Sequence, residues 1–152
     1  MAVHWQNSVT INRPIDEIWA EFSDLFGAPR LPGASMSVRQ TSPGPMGLGT
    51  TIQARRVILG FETRLTQEIT EWDPPRAISV TIMGRPFRSM LERVTLEVVP
   101  GGTKLDETLD IDLRPALKVV WPIIGPFMRR QRQQAFRDLK VKLEAEGVAR
   151  DS

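Results

Sequence analysis

RSMLERVTLEVVPGGTKLDETLDIDL, Arg88–Leu113, is the stretch whose reading decides the fold. After Pro100-Gly101-Gly102, Leu105, Leu109, Ile111 and Leu113 share one parity, while Asp106, Thr108, Asp110 and Asp112 share the other. Strict alternation of this kind is the pattern of a strand with one face buried and one in water. Glu107 has the parity of the apolar residues and so points inward. The Pro-Gly-Gly turn folds the preceding segment back as an antiparallel neighbour. Met90, Val94, Leu96 and Val98 then join the same face, together with Glu92, although Leu91 allows the opposite phase for this strand.

Working outward, the chain reads as further strands separated by turns. Upstream they are Ser35–Thr41, Gly49–Leu59, Glu62–Trp72 and Ala77–Met83, and the quoted pair supplies Arg88–Val99 and Thr103–Leu113. A first strand, His4–Asn12, carries Trp5, Val9 and Ile11 on one face. Pro14–Leu25 has Ile15, Ile18, Trp19 and Phe22 at helical spacing, with Asp16 and Glu17 suited to a helix start. Phe26–Ala34, with two glycines and two prolines, reads as a loop. Downstream, Ala116–Phe127 is apolar but interrupted by Pro122, Gly125 and Pro126, and Phe127–Glu146 reads as a long helix stopped by Gly147. Met128, Ala135, Phe136, Leu139 and Leu143 mark its buried face. Arg129, Arg130, Arg132, Arg137, Lys140 and Lys142 are expected mostly on the rest.

The expected fold class is α+β: a seven-stranded curved antiparallel sheet wrapped around a long C-terminal helix, in one domain over 1–152. An apolar sheet face must be covered, and this helix is the large element able to cover it. A strongly twisted sheet around one helix leaves room for a ligand.

Composition narrows the chemistry. With no cysteine, thiolate metal sites, disulfides and cysteine nucleophiles are excluded, and a cytoplasmic location is expected. One histidine, His4, and no tyrosine remove most acid–base and metal-ligand sets; no metal and no cofactor are expected. His4 falls on the face opposite Trp5, and Asp106, Asp110 and Asp112 read as a solvated face. A net charge of +2 is too balanced to imply nucleic acid. Val119–Met128, the longest nearly unbroken apolar run, is too short to span a bilayer.

Several stretches resemble the START-like superfamily, in its polyketide cyclase/dehydrase and lipid-transport branch. They are Ile11–Asp24 (INRPIDEIWAEFSD), Leu31-Pro32-Gly33, Gly47-Leu48-Gly49, Thr70–Ser79 (TEWDPPRAIS) and the basic terminal helix with Leu139 and Leu143. The resemblance runs over nearly the whole chain. It implies a helix-grip fold and a hydrophobic ligand in an internal cavity, lipid or polyketide-like, or else a cyclase/dehydratase. The loop often carries an aromatic in this family where this chain has Arg30-Leu31.

The residues themselves add a polar set on the inner face. Arg55 and Arg56 are adjacent on one strand, so one faces inward; Arg56 is favoured because it shares parity with Ile52, Ala54 and Ile58. Gln67 joins Leu65 and Ile69. Arg56 with Glu92 and Glu107 is then either a structural ion-pair network, an anchor for a ligand's polar end, or an acid–base set. The expected ligand-lining residues are Arg56, Gln67, Met90, Glu92, Glu107, Trp121, Phe127 and Met128, with Arg56, Glu92 and Glu107 the catalytic candidates if a reaction is run. Trp19 reads as a core anchor. Met36, Met46, Met83, Met90 and Met128 are adaptable enough to line a pocket. Trp121–Arg132 has two readings: a cap on one end of the cavity, or a transient contact with an anionic membrane surface.

Overall fold

The structure is a computed structural model; it describes residues 2–27, 36–58, 61–85 and 87–151. The order is β1 (Ala2–Ile11), α1 (Ile15–Gly27), β2 (Met36–Gln40), β3 (Thr51–Ile58), β4 (Phe61–Asp73), β5 (Ala77–Met83), β6 (Phe87–Val99), β7 (Gly102–Leu113) and α2 (Pro115–Asp151). The strands form one antiparallel sheet in the order β1-β7-β6-β5-β4-β3-β2. Strands β2 to β7 are thus a meander, and β1 closes on β7, with Trp5 opposite Leu109 and Asn7 opposite Glu107. Register shifts at Ile69/Glu71 and Phe87/Ser89 interrupt β4 and β6. Bulges of this kind bend a strand and sharpen its twist, which is what a sheet needs to curl around a helix.

The inner face is set by alternation. On β7, Leu105, Glu107, Leu109, Ile111 and Leu113 are all buried, as their parity requires. On β6, Met90, Glu92, Val94 and Leu96 are buried and Leu91 is exposed, which settles the phase that the sequence left open. Val98 is exposed instead of inward: it lies beside the hairpin turn, at the strand end. Gly102 has φ +139°, and a Cβ there would run into the backbone of Ile11 and Asn12, so the turn needs glycine where β1 ends.

The terminal helix departs from expectation at both ends. It is one α-helix of 37 residues, about 55 Å long at 1.5 Å per residue. It starts at Pro115, an allowed first position because the first helical N–H has no partner in any case. The interruption expected at Pro122, Gly125 and Pro126 does not occur: both prolines lie inside the helix. Packing holds this part in place, since Leu117 and Trp121 rest on the core and Trp121 stacks on Trp5 with ring centroids 5.6 Å apart. Gly147 does not stop the helix; it leaves room for the Arg13 side chain. Beyond Arg132 the helix is tied to the start of the chain: Lys140 donates to the Thr10 carbonyl at 2.6 Å, Glu144 accepts from Asn12 N at 3.0 Å, and Lys142 pairs with Glu21 at 2.5 Å.

Candidate functional site

Glu107 is 1% exposed and Glu92 is also buried, two carboxylates on adjacent strands of an otherwise apolar face. Their cation comes from α2. Arg132 donates from Nε to Glu107 Oε1 at 2.6 Å and from Nη2 to Glu107 Oε2 at 2.8 Å, and the same Nη2 lies 2.7 Å from Glu92 Oε1. One guanidinium thus serves two acids.

This corrects the sequence reading, which set Arg132 among the solvated residues of the helix. Helical spacing carries the signal for this inward position. Arg132 lies four residues after Met128 and four before Phe136, on the same stripe that Leu139 and Leu143 continue. Arg55 lies on the outer face, near Glu62. The backbone of Arg56 pairs with Met36 and Thr63, and its side chain lies outside the described residues.

The charges follow from the geometry. Burial acts most strongly on Glu107 and pushes its carboxyl up to about 7; Arg132 pulls it back, and the nearby Glu92 adds to the rise. Burial also works against the charge of Arg132, but the two carboxylates outweigh it and hold the guanidinium above its ordinary value. Even so, 27% of the Arg132 side chain is open to solvent.

The other expected lining residues are placed as follows. Met90 is buried and Gln67 half-buried, the latter between Ile52 and Ile82 across the sheet. Trp121 and Met128 are partly buried against the core. Phe127 is 52% exposed and does not close the interior; Ile123 is exposed as well, because the helix turns this side away from the sheet. Met46 packs on the core, Met83 is exposed, and the side chain of Met36 lies outside the described residues. Trp19 meets Trp72 edge-on at 5.2 Å. His4 is at the surface, 2.6 Å from Asp110. Of the loop expected at Phe26–Ala34, Phe26 and Gly27 end α1, and the rest, with Arg30 and Leu31-Pro32-Gly33, lies outside the described residues.

Where α2 crosses β1, an open groove of about 460 Å³ is lined by residues that include Trp5, Trp121, Gly125, Arg129, Arg130 and Gln133. Gly125 shapes it: a Cβ there would come within 2.9 Å of the Trp121 ring. Trp121 also meets Phe87 edge-on at 6.4 Å. Among the described residues, no group of three or more His, Cys, Asp or Glu residues is placed to hold a metal ion, and no helix is long and apolar enough to cross a membrane.

The comparisons with known proteins agree with this fold. The family described as Polyketide cyclase / dehydrase and lipid transport matches residues 2–144. No curated protein shows a significant match. Among solved structures, a START superfamily protein from Mycobacterium smegmatis is 15% identical over 94% of this chain and 95% of its own, with a TM-score of 0.66. The Zhui aromatase/cyclase from Streptomyces is 21% identical over 75% of this chain and 70% of its own, with a TM-score of 0.63. A Thermus thermophilus protein is 20% identical over the whole of both chains, with a TM-score of 0.67. At these identities, the likeness is one of fold.

Proposed function

We propose that this chain, which belongs to the polyketide cyclase/dehydrase and lipid-transport family, binds an apolar small molecule between its sheet and α2. In this reading the molecule's polar end rests on Arg132, Glu92 and Glu107, and residues 1–152 act as one ligand-binding domain in the cytoplasm. The observation that carries it is the buried charged cluster on an apolar wall, whose arginine keeps open surface. Trp19, Trp72, Met128, Phe136 and Leu139 support it, since each packs on the core and yet remains only partly covered. Gln67, Met90, Trp121 and Met128 complete the lining. A lipid or polyketide-like molecule suits such a site: a large apolar body with a few oriented polar contacts.

The test is mass spectrometry of the purified, undenatured protein. A stoichiometric apolar compound is the expected result. Empty protein that also binds nothing from lipid and polyketide panels would overturn the reading.

A second reading is a cyclase- or dehydratase-type enzyme in which Glu107 or Glu92 moves a proton. The lift of Glu107 to about 7 favours it, because general acid–base groups work best near the ambient pH. Arg132, already bonded to both acids, is the nearer carbonyl-polarising group; Arg56 is the candidate from β3. Loss of turnover of an identified substrate in Glu107→Gln, with binding retained, is its signature.

Contact with an anionic membrane fits loading and release. Val119, Ile123 and Phe127 follow at four-residue spacing on α2 and are 81%, 80% and 52% exposed. Lys118, Arg129 and Arg130 flank them, with no acidic residue between Pro115 and Arg137.

A further inference from the structure

The open groove where α2 crosses β1 shares no lining residue with the cluster of Arg132, Glu92 and Glu107. Its walls are rings. Trp5 and Trp121 stack at 5.6 Å with 23° between their planes, and Phe87 meets Trp121 edge-on. Pro122 and Pro126, both exposed, add two rigid rings one helical turn apart. Arg129 and Gln133 continue the stripe of α2 that these prolines begin, and Arg130 stands one turn beyond Pro126. The ridge of Val119, Ile123 and Phe127 is a different one, offset by one residue and so about 100° round the helix.

The polar residues of the lining are Arg129, Arg130 and Gln133, with no acid among them. Both arginines are exposed, and among the described residues neither has an ion-pair partner. β1 contains no acidic residue, and α2 contains none before Asp138. Glu92 and Glu107 are already held by Arg132. Two neighbouring cations at one groove, without a counter-charge, attract an anion.

We infer that this groove is a second binding site, for a planar aromatic carboxylate: the ligand's rings extend the Trp5–Trp121 stack, and its carboxylate is held by Arg129 and Arg130. This goes beyond the proposed binding between sheet and α2 and does not depend on it.

Each part of the ligand has its reason. A guanidinium presents a donor fork that matches a carboxylate, and it also packs on aromatic faces. Aromatic pairs gain from ring geometry beyond the area they cover, and the rigid walls lose little freedom in meeting a flat ligand. A groove of about 460 Å³ has the size of a small-molecule site. Its open side leaves the arginines within reach of a ligand arriving from solvent.

The test uses the full chain, isotope-labelled so that the indole N–H signals of its four tryptophans are read by NMR. The probes are naphthoate and its neutral counterpart naphthylmethanol, at about pH 8, where the carboxylate is ionised. Naphthoate is expected to shift the signals of Trp5 and Trp121, to leave those of Trp19 and Trp72 in place, and to bind at least about tenfold tighter than the alcohol. Arg129→Gln with Arg130→Gln changes two exposed side chains at little risk to folding. It is expected to lose that factor of about ten toward naphthoate and nothing toward the alcohol. Added salt should weaken naphthoate binding to the parent and leave the alcohol unaffected. Equal affinity for the two probes, naphthoate binding unchanged in the double variant, or no shift of Trp5 at millimolar naphthoate overturns the inference. Shifts confined to Trp19 and Trp72 also overturn it, and they would support the site between sheet and α2. A shifted Trp5 in a chain that takes up no lipid or polyketide removes the binding reading and leaves this site standing.

Discussion

Arg132 holds Glu107 by two parallel hydrogen bonds, Nε to Oε1 at 2.6 Å and Nη2 to Oε2 at 2.8 Å, and so joins the middle of α2 to the β7 strand across the apolar interior. The planar guanidinium matches a carboxylate in this two-pronged way, which a lysine at the same place would not. Because Nη2 also reaches Glu92, removing the arginine would leave two buried carboxylates unpaired. Arg132→Met is expected to destabilise the protein by about 3 kcal/mol, as for other broken buried pairs. Adding Glu92→Gln and Glu107→Gln to that variant should restore most of the loss. Urea unfolding of the single and triple variants checks both statements; an additive outcome would mean the three side chains do not act together.

The pH response carries the mark of the same cluster. Burial raises Glu107 from an ordinary 4.5 to about 7, so between those values the folded chain binds a proton that the unfolded chain has lost. Stability therefore falls as pH rises through this window and levels off above it. Glu71 works in the opposite sense: its hydrogen bonds to Arg93 and Ser79 hold its carboxyl low, and its contribution is lost as the solution becomes more acidic than the ordinary carboxylate range. Denaturant midpoints measured at about pH 5 and about pH 8 should differ for the parent chain. The difference should nearly vanish in Glu107→Gln.

Gly125→Ala sets two effects against each other. Alanine favours the helix by about 1 kcal/mol over glycine. Its Cβ, however, would lie 2.9 Å from the Trp121 ring, which is fixed between Trp5 and Phe87. Displacement of the ring is expected to dominate, with a lower melting temperature and a changed near-UV circular dichroism signal. A variant that melts higher with its aromatic signal intact would show that the ring moves freely.

The membrane contact has a test with little risk to folding. Ile123 and Phe127 are exposed, so changing them should alter stability by no more than about 0.5 kcal/mol. Ile123→Asp with Phe127→Asp is expected to abolish co-sedimentation with vesicles rich in phosphatidylserine. Binding by the parent chain should weaken as salt is added, since Lys118, Arg129 and Arg130 act through screened attraction. Indifference of the parent chain to anionic vesicles removes this part of the proposal.

Much of this arrangement could be read from the residues, and what could not has identifiable causes. Alternation located Glu107 because β7 is regular and its two faces differ sharply. Arg132 escaped because a basic helix is read as a wet surface, although its spacing from Met128 and Phe136 put it on the buried stripe. The expected break before residue 127 treated proline as decisive. In the folded chain, the lost backbone bonds are offset by Leu117 and Trp121 packing on the core.

Those two prolines also determine how α2 responds to force and to solvent. Neither has an N–H, so the carbonyls of Lys118 and Pro122 receive no bond from the residue four positions on. The opening turns of the helix are therefore its least securely laddered part, while the distal turns are clamped by Lys140, Lys142 and Glu144. Amide deuteration would accordingly spread from the proline end toward the clamped end, with Arg132 near the boundary between fast and slow exchange. If α2 loosens from the sheet, it does so as a peel with a defined starting point.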